Sequence, residues 1–534
     1  MEESYDVIVV GAGFSGLVCC KYALENNLSV LVLEKQDDLG GIWNYSSDTT
    51  RPSVYKSTIT TSSRIISEIS DFPMPDDYPN FPHHSQMLNY FKNYIEHFNL
   101  LPHICFNSNI TSVLKPNAHW HVTADNGKQY RSKHLVMCTG VHQTPNDIRN
   151  ELPFSNFSGD FMHSSEFRYV NPHYHDKRIL VYGGGESASD ICHELAGLSK
   201  HVYWSIPNGQ WFINRNAGAF PIDYTSNRFF ETFHPLSAKN KLFARARNQS
   251  HLNGLSIPEF QSKAPHSRAF LTKNVEVEGD IKLGRVTPIS NVKSINGNSV
   301  VVEKIHKRTK ATYCFETSID LIILATGFKK TFPMLPKIYQ SSTYDLHHFI
   351  FCQQDPTLAF VGFVRPTFGS IFGVAEMQAK LVMHRITNPM NLDDQQIKTT
   401  VEADKKHYID MFQHTSKRLD GLVEHIYYTD KLAKLCGCYP NWKQLICQSP
   451  KKAWQLFLGP LHGCQYLVNQ SQNHDYIFNT IYKKYKHQFH PLIDPSVHNT
   501  PYTISRYMLI ALWKKCIKFF IFDLPRLFGQ HKDR

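Results

Sequence analysis

Two glycine-rich stretches hold the residue types that could do chemistry. The first is Gly11-Ala12-Gly13-Phe14-Ser15-Gly16, set between the apolar run YDVIVV at 5–10 and a helix-like stretch at 17–26. A second apolar run, 30–33, ends at Glu34. Strand, glycine turn, helix and strand ending in an acid is the pattern that binds a dinucleotide. Gly11 allows the tight turn, Gly13 removes the side chain that would block a pyrophosphate, and Gly16 lets helix and strand pack closely. The N–H groups at the helix start would face the diphosphate, and Glu34 would accept hydrogen bonds from ribose hydroxyls. The second stretch, Gly183-Gly184-Gly185-Glu186-Ser187-Ala188, repeats the pattern between a strand at 178–182 and a helix at 189–195. Ala188 stands in the third glycine's place and still permits tight packing. From Gly11 to Glu34 is 23 positions, and from Gly183 to Ser205 is 22. Ser205 therefore occupies the place of Glu34, and a missing acid removes repulsion against a 2′-phosphate, which favours NADPH over NADH.

The elements that must position these turns give an α/β chain with two Rossmann-like folds. Two further apolar runs end in Thr-Gly, at Thr139-Gly140 and Thr326-Gly327, and each reads as a strand closing a nucleotide domain. The expected organisation is a first dinucleotide-binding part at 1–154, an inserted second dinucleotide-binding domain at 155–320, and a return to the first at 321–430. A helical C-terminal region then covers 431–500, and a basic hydrophobic tail covers 501–534. The tail's stretch YMLIALWKKCIKFFIF at 507–522 is short for a span and carries three lysines near its centre. It fits an interfacial anchor better than a transmembrane helix.

Composition bounds the rest. The chain has 534 residues, 42% hydrophobic and 19% charged, which excludes wholesale disorder. Lys and Arg total 57 against 46 Asp and Glu, a net +11 that suits anionic cofactors or an anionic membrane surface and does not call for nucleic acid. The twelve cysteines include no C-x-x-C pair, which removes a zinc ribbon and a disulfide reductase; Cys436 and Cys438 form a lone C-x-C. No H-E-x-x-H occurs among the 29 histidines, and no metal site is expected. The acidic Met1-Glu2-Glu3 start gives no signal-peptide pattern, so the expectation is an intracellular protein, cytoplasmic or membrane-associated, with free thiols.

The residues after Glu34 separate FAD from NAD at the first turn. The stretch Gly40-Gly41-Ile42-Trp43 completes E-x-x-x-x-x-G-G-x-W. With Tyr55-Lys56-Ser57, Asp71-Phe72-Pro73, Phe157-Ser158-Gly159 ahead of His163-Ser164, Ala325-Thr326-Gly327-Phe328, Val361-Gly362-Phe363 and Glu376-Met377-Gln378-Ala379, the chain resembles the flavin-containing monooxygenases, the eukaryotic-type branch of the class B flavoprotein monooxygenases. The resemblance runs over nearly the whole chain. It implies FAD on Gly11, Ala12, Gly13, Phe14, Ser15, Gly16, Glu34, Gly41, Ile42, Trp43, Thr60, Thr61, Ser62 and Gln378. It implies NADP(H) on Gly183, Gly185, Ser187, Ala188, Ser189, Asp190 and Ser205, with the S-x-x-D pair Ser187 and Asp190 contacting the nucleotide or capping the helix. His163 is expected at the domain junction.

The implied reaction is NADPH reduction of FAD, formation of a C4a-hydroperoxyflavin with O₂, and transfer of one oxygen to a soft nitrogen or sulfur nucleophile such as an amine or sulfide. The implied location is an endoplasmic-reticulum-type membrane if the source is eukaryotic; oligomerisation stays open. Baeyer–Villiger oxygenation of ketones, a largely uncoupled NADPH oxidase and a non-catalytic flavoprotein are the alternatives. Two departures matter. Pro207 stands where the family has an arginine for the 2′-phosphate, leaving Arg215, His201 or Lys273 as substitutes. Thr61 stands in place of the asparagine of Y-K-S-x-x-x-N-x-S, so Thr61 and Ser62 are the expected catalytic pair, with raised peroxide release.

Overall fold

The computed structural model describes residues 3–217, 220–233, 257–262, 271–273, 276–389, 393–412 and 420–482. The expected tail at 501–534, and much of the stretch 210–265, lie outside the described residues.

The run at 5–10 alternates between two buried faces, and this is why it reads as continuously apolar. Val7 and Val9 pack with Leu17, Val18 and Val136 on one side, and Ile8 and Val10 pack with Leu31, Leu135 and Met137 on the other. The strand Glu3–Val10 is central in a seven-stranded sheet. Its order runs Ile104–Cys105, Val30–Leu33, Glu3–Val10, Gln129–Met137, Trp120–Ala124, Ile110–Leu114. The long strand Gln129–Met137 does two jobs. Its first half pairs antiparallel with Trp120–Ala124, and its last three residues pair in parallel with Leu358–Phe360. A segment more than two hundred residues downstream thus completes the sheet that opened the chain. The helix Ile371–Thr387 packs beside the fingerprint helix Phe14–Glu25 on the Val7 face.

A second, all-parallel sheet has the order Val286–Ile289, His201–Ser205, Arg178–Tyr182, Leu321–Leu324, Asp160–His163. The helix Glu186–Ala196 crosses from the third of these strands to the second, the helical connection that a parallel pair requires. Leu321–Leu324 pairs with both Arg178–Tyr182 and Asp160–His163, so it closes the inserted sheet. The return to the first sheet therefore falls after Leu324, not at 321. An antiparallel three-stranded meander, Asn291–Asn296, Ser299–Ile305 and Thr312–Ser318, fills the gap before it.

C-terminal to the sheets, the helices Asp394–Phe412, His425–Leu435, Trp442–Gln448 and Pro450–Leu458 follow, and the short helix Arg64–Ser67 packs into their apolar cluster through Ile65 and Ile66. Among the described residues no helix is long and apolar enough to cross a membrane.

Candidate active site

Each glycine of the first turn has a distinct steric reason. Gly11 has φ +108°, and a Cβ there would lie 2.7 Å from the Cys138 carbonyl oxygen. A Cβ on Gly16 would lie 1.8 Å from the Gly11 oxygen, so helix and strand touch through backbone alone. Gly13 differs: its Cβ would meet nothing closer than the Gly41 Cα at 3.8 Å. Gly13 and Gly41 lie backbone against backbone, a Cβ on Gly41 falling 3.3 Å from the Gly13 Cα, and the Gly40 N–H donates to the Ala12 carbonyl at 3.0 Å to hold the two turns together. The helix Phe14–Glu25 begins there with no side-chain cap, so its N-terminal dipole and N–H groups face the glycine turn. Ala12 and Phe14 are buried behind it. Trp43, on the short turn Gly41–Trp43, lies 6.0 Å from the Phe372 ring, which also packs 4.4 Å from Phe14.

Glu34 sits at the strand end with its carboxylate buried. One oxygen accepts from the Ala12 N–H at 2.6 Å and the other from the Gln36 N–H at 2.9 Å. Those bonds fix the acid beside the turn, and each oxygen keeps lone-pair capacity for a further donor such as a ribose hydroxyl.

Ser15 and Gln378 act on the same glycine. A Cβ on Gly362 would lie 2.2 Å from the Ser15 Oγ, and the Gly362 N–H donates to Gln378 Oε1 at 3.1 Å. Gln378 Nε2 donates to the Tyr428 hydroxyl at 2.9 Å, which donates to the His348 carbonyl at 2.8 Å. Both polar ends of the fully buried Gln378 are therefore used by the protein. It is tied to the first turn through Gly362, which lies against Ser15.

The segment 58–63 carries a run of hydroxyls. Thr60 is buried with its Oγ1 unpartnered, and the Thr58 and Ser63 hydroxyls are also buried without partners. Ser62 Oγ pairs with Ser67 Oγ at 2.8 Å, and Thr61 is half-buried. The backbone is held from outside: Thr60 N–H donates to the Pro82 carbonyl at 2.9 Å, and Ser63 N–H donates to Asp223 at 2.7 Å. Buried orphan hydroxyls are costly unless a ligand satisfies them. Together with the uncapped helix start after the glycine turn, they show that the residues present fit a dinucleotide with a polar head.

The second turn is built like the first. Gly183 has φ +134°, and a Cβ would lie 2.2 Å from the Ala325 oxygen. Gly185 is the uncapped N-cap of the helix Glu186–Ala196, and Ala188 and Ser189 are buried behind it. Ser187 is exposed at the helix start. Asp190 lies in the second turn of that helix, too far along to cap it, so the capping role is set aside. Burial pushes its carboxyl up to about 7 against the opposing pull of Arg215. Ser205 is fully buried with an unpartnered Oγ at the strand end.

Of the three cations offered in place of an arginine at 207, two belong here. Burial raises the Glu186 carboxyl, and the Lys273 N–H, Arg215, the Lys273 ammonium and Arg365 pull it back, which places Arg215 and Lys273, with Arg365, around the first residue of the helix. His201 starts its strand at the far end and bonds Thr287 at 2.8 Å, so it is no substitute.

Sequence patterns gave no signal for Glu186 and Asp223, which sit in runs without a period. His163 falls where it was expected: its Nε2 meets the Gly327 carbonyl at 3.1 Å, across the two chain connections between the sheets. The segment 56–57 also meets the second fold, Ser57 at Glu194 near the far end of the helix Glu186–Ala196 and the Lys56 N–H at the Arg168 carbonyl at 2.7 Å.

Comparison with known proteins agrees with this geometry. A model of the flavin-binding monooxygenase-like family matches residues 4–524. Flavin-containing monooxygenase 5 of Rattus norvegicus is 32% identical over 490 residues, covering 86% of this chain and 88% of the relative. Dimethylaniline monooxygenase [N-oxide-forming] 2 of Macaca mulatta is 31% identical over 493 residues, again 86% and 88%. Among solved structures, S-allyl-L-cysteine S-oxygenase from Allium sativum shares the fold at a TM-score of 0.60 and 20% identity, covering 91% of this chain and 98% of its own. The chain belongs to the flavin-binding monooxygenase-like family, and it is an FAD- and NADPH-dependent monooxygenase.

Proposed function

We propose that this enzyme transfers one oxygen atom from O₂ to a soft nitrogen or sulfur nucleophile of a small molecule, giving an N-oxide or S-oxide. The observation that carries the reading is the pair of uncapped helix starts, at Gly13 and at Gly185, each following a glycine turn that a Cβ would close. The activities for which the macaque and garlic proteins are named, N-oxide formation and S-oxygenation, support the nucleophile class. When bound, FAD supplies the oxygen chemistry, taking electrons from NADPH and passing one atom of O₂ onward.

This chain's own residues bind and orient. Gly11, Gly13, Gly16 and the first-turn N–H groups of the helix Phe14–Glu25 take the FAD pyrophosphate, Glu34 the ribose, and Gly41, Ile42 and Trp43 cover it. Gly183, Gly185, Ser187, Ala188, Ser189, Asp190 and Ser205 form the NADPH side, with Arg215 and Lys273 answering the 2′-phosphate that Pro207 cannot. Thr60, Thr61 and Ser62 face the reacting end. The Thr61 Oγ1 donates one hydrogen bond there, where an amide would both donate and accept. The domain parts are 1–154 with 321–430 for FAD, adjusted to begin after Leu324, and 155–320 for NADPH. The tail at 501–534 is read as an anchor to an endoplasmic-reticulum-type membrane surface, and flotation with anionic vesicles tests it.

The single hydroxyl of Thr61 favours a second reading, substantial uncoupling of NADPH oxidation into peroxide. One experiment addresses both. Purified enzyme is given a tertiary amine, a thioether and a ketone, and product and peroxide are counted per NADPH. Amine or thioether oxygenation with measurable peroxide is expected, and Thr61→Asn should cut the peroxide fraction severalfold. Ester formation from the ketone alone would favour Baeyer–Villiger chemistry. Peroxide with no oxygenated product would leave only the oxidase.

A further inference from the structure

The C-x-C pair lies outside the dinucleotide sites, and the fold gives it a specific setting. The helix His425–Leu435 ends at Cys436, its C-cap. Gly437 follows with φ +68°; its N–H donates to the Lys434 carbonyl at 3.2 Å, and the Cys438 N–H donates to the Ala433 carbonyl at 2.9 Å. This is a Schellman turn, which folds the residue two beyond the cap back over the helix end. It sets Cys436 and Cys438 side by side at the helix end, where each thiol shifts the other's titration. Both side chains are half-buried, packed against the rim of the main core and still reached by solvent. Lys380 and Arg385, from the neighbouring helix Ile371–Thr387, face the pair, and Asp430 opposes them.

Cations around two thiols argue against a metal ion and for an anionic sulfur. Among the described residues no group of three or more metal-ligating side chains occurs. The hydrogen bond from Cys436 holds the Cys438 thiol down to about 7 against burial, with help from Lys380, while Cys436 itself is raised.

We propose that Cys436 and Cys438 are a peroxide-responsive dithiol, with Cys438 the attacking thiolate and Cys436 the resolving thiol. The oxidant is hydrogen peroxide. The Cys438 thiolate attacks one peroxide oxygen, the O–O bond breaks, and the departing hydroxide takes a proton to leave as water, giving a sulfenic acid. Cys436 sulfur then attacks that sulfur, the S–O bond breaks, and its thiol proton leaves with the hydroxyl as a second water. Two thiols lose two electrons, and one peroxide becomes two waters. The thiol chemistry stands whether or not the flavin itself releases the peroxide.

The test uses the full-length holoenzyme with added peroxide, followed by alkylation and peptide mass spectrometry. The exposed Cys314 and Cys447 serve as internal comparators. The 436–438 peptide should lose two hydrogens and escape alkylation, reacting roughly threefold faster than an ordinary exposed thiol, because extra thiolate outweighs the lower nucleophilicity of a low-pKa sulfur. In Cys436→Ser, a sulfenic-acid trap should label Cys438. In Cys438→Ser, Cys436 should stay reduced. Full alkylation of both thiols after Cys314 and Cys447 have oxidised would overturn the proposal. So would a sulfenic acid appearing first on Cys436.

Discussion

At the residue scale, the two turns separate what a glycine does for the fold from what it does for a ligand. Gly16 is closed by the Gly11 oxygen, whereas Gly13 has ordinary space and an extended backbone that alanine can adopt. Gly16→Ala should therefore lower the melting temperature of the FAD-free protein, by an overpacking cost of about 1–3 kcal/mol. Gly13→Ala should leave that temperature nearly unchanged and lower flavin retention at least tenfold. Thermal scans with and without FAD, beside flavin absorbance of the purified variants, separate the two. Asp190 adds a pH dependence. Its carboxyl is raised by burial to about 7, against roughly 4 in an unfolded chain. The folded state then holds more protons than the unfolded one between those values, so stability falls as pH rises through that window and levels off above it. Asp190→Asn has no such slope. The variant should gain about 1–2 kcal/mol on the wild type between pH 5 and pH 8, a figure that allows for the partial exposure of the group and for Arg215. A gap that does not change with pH would count against it.

At the element scale, the helix Ile371–Thr387 matters because it arrives late in the chain and stands directly behind the first turn. Gln378 ties Gly362 to Tyr428, and Gly362 is pressed on Ser15. Gln378→Leu leaves the Gly362 N–H and the Tyr428 hydroxyl without that partner. It should cost about 1–3 kcal/mol and weaken FAD binding, while Gln378→Glu, which keeps an acceptor for Gly362, should retain more flavin. Equilibrium denaturation and FAD titration read the two effects separately. This contact also shows where the sequence stops being legible. The two strand–turn–helix–strand units announce themselves through local pattern, because glycine spacing and buried apolar runs are fixed by nearest-neighbour sterics. The contact of Gly13 with Gly41 is local in the same way. Gln378 could be read only as a motif position, since its contact to the turn runs through a glycine sixteen residues before it and a tyrosine fifty after it. The Leu321–Leu324 strand read as apolar from its sequence, but nothing in four buried residues says which of two sheets they join. Glu186 carries no local signal of its role, because Arg215 and Lys273 reach it from distant loops.

At the scale of the whole molecule, the hydroxyl segment is held from three directions by chain that folds in separately. Asp223 reaches its backbone at Ser63, Glu194 meets Ser57, and the C-terminal region reaches the end of the short helix Arg64–Ser67. The last link is the most buried. His462 Nε2 lies 3.1 Å from Glu68 Oε2, with the two side chains 0% and 1% exposed. His462 Nδ1 accepts the Cys464 N–H at 2.9 Å, so the ring proton sits on Nε2 and is donated to the carboxylate. Arg228 adds a second tie, to Asp430 at 2.7 Å and to Gln465. His462→Ala removes the imidazole donor from this enclosed carboxylate and should destabilise the protein by about 3–5 kcal/mol, whereas His462→Ala combined with Glu68→Gln should lose clearly less than the two single changes added together. Denaturant titration of the four proteins gives the coupling directly. Because Glu68 follows Ser67, which pairs with Ser62, losing the His462 tie should also disturb the reacting end. Peroxide release per NADPH should rise in His462→Ala and fall back in the double variant. Additive losses with unchanged coupling to NADPH would mean that the C-terminal region merely covers the hydroxyl segment and does not position it.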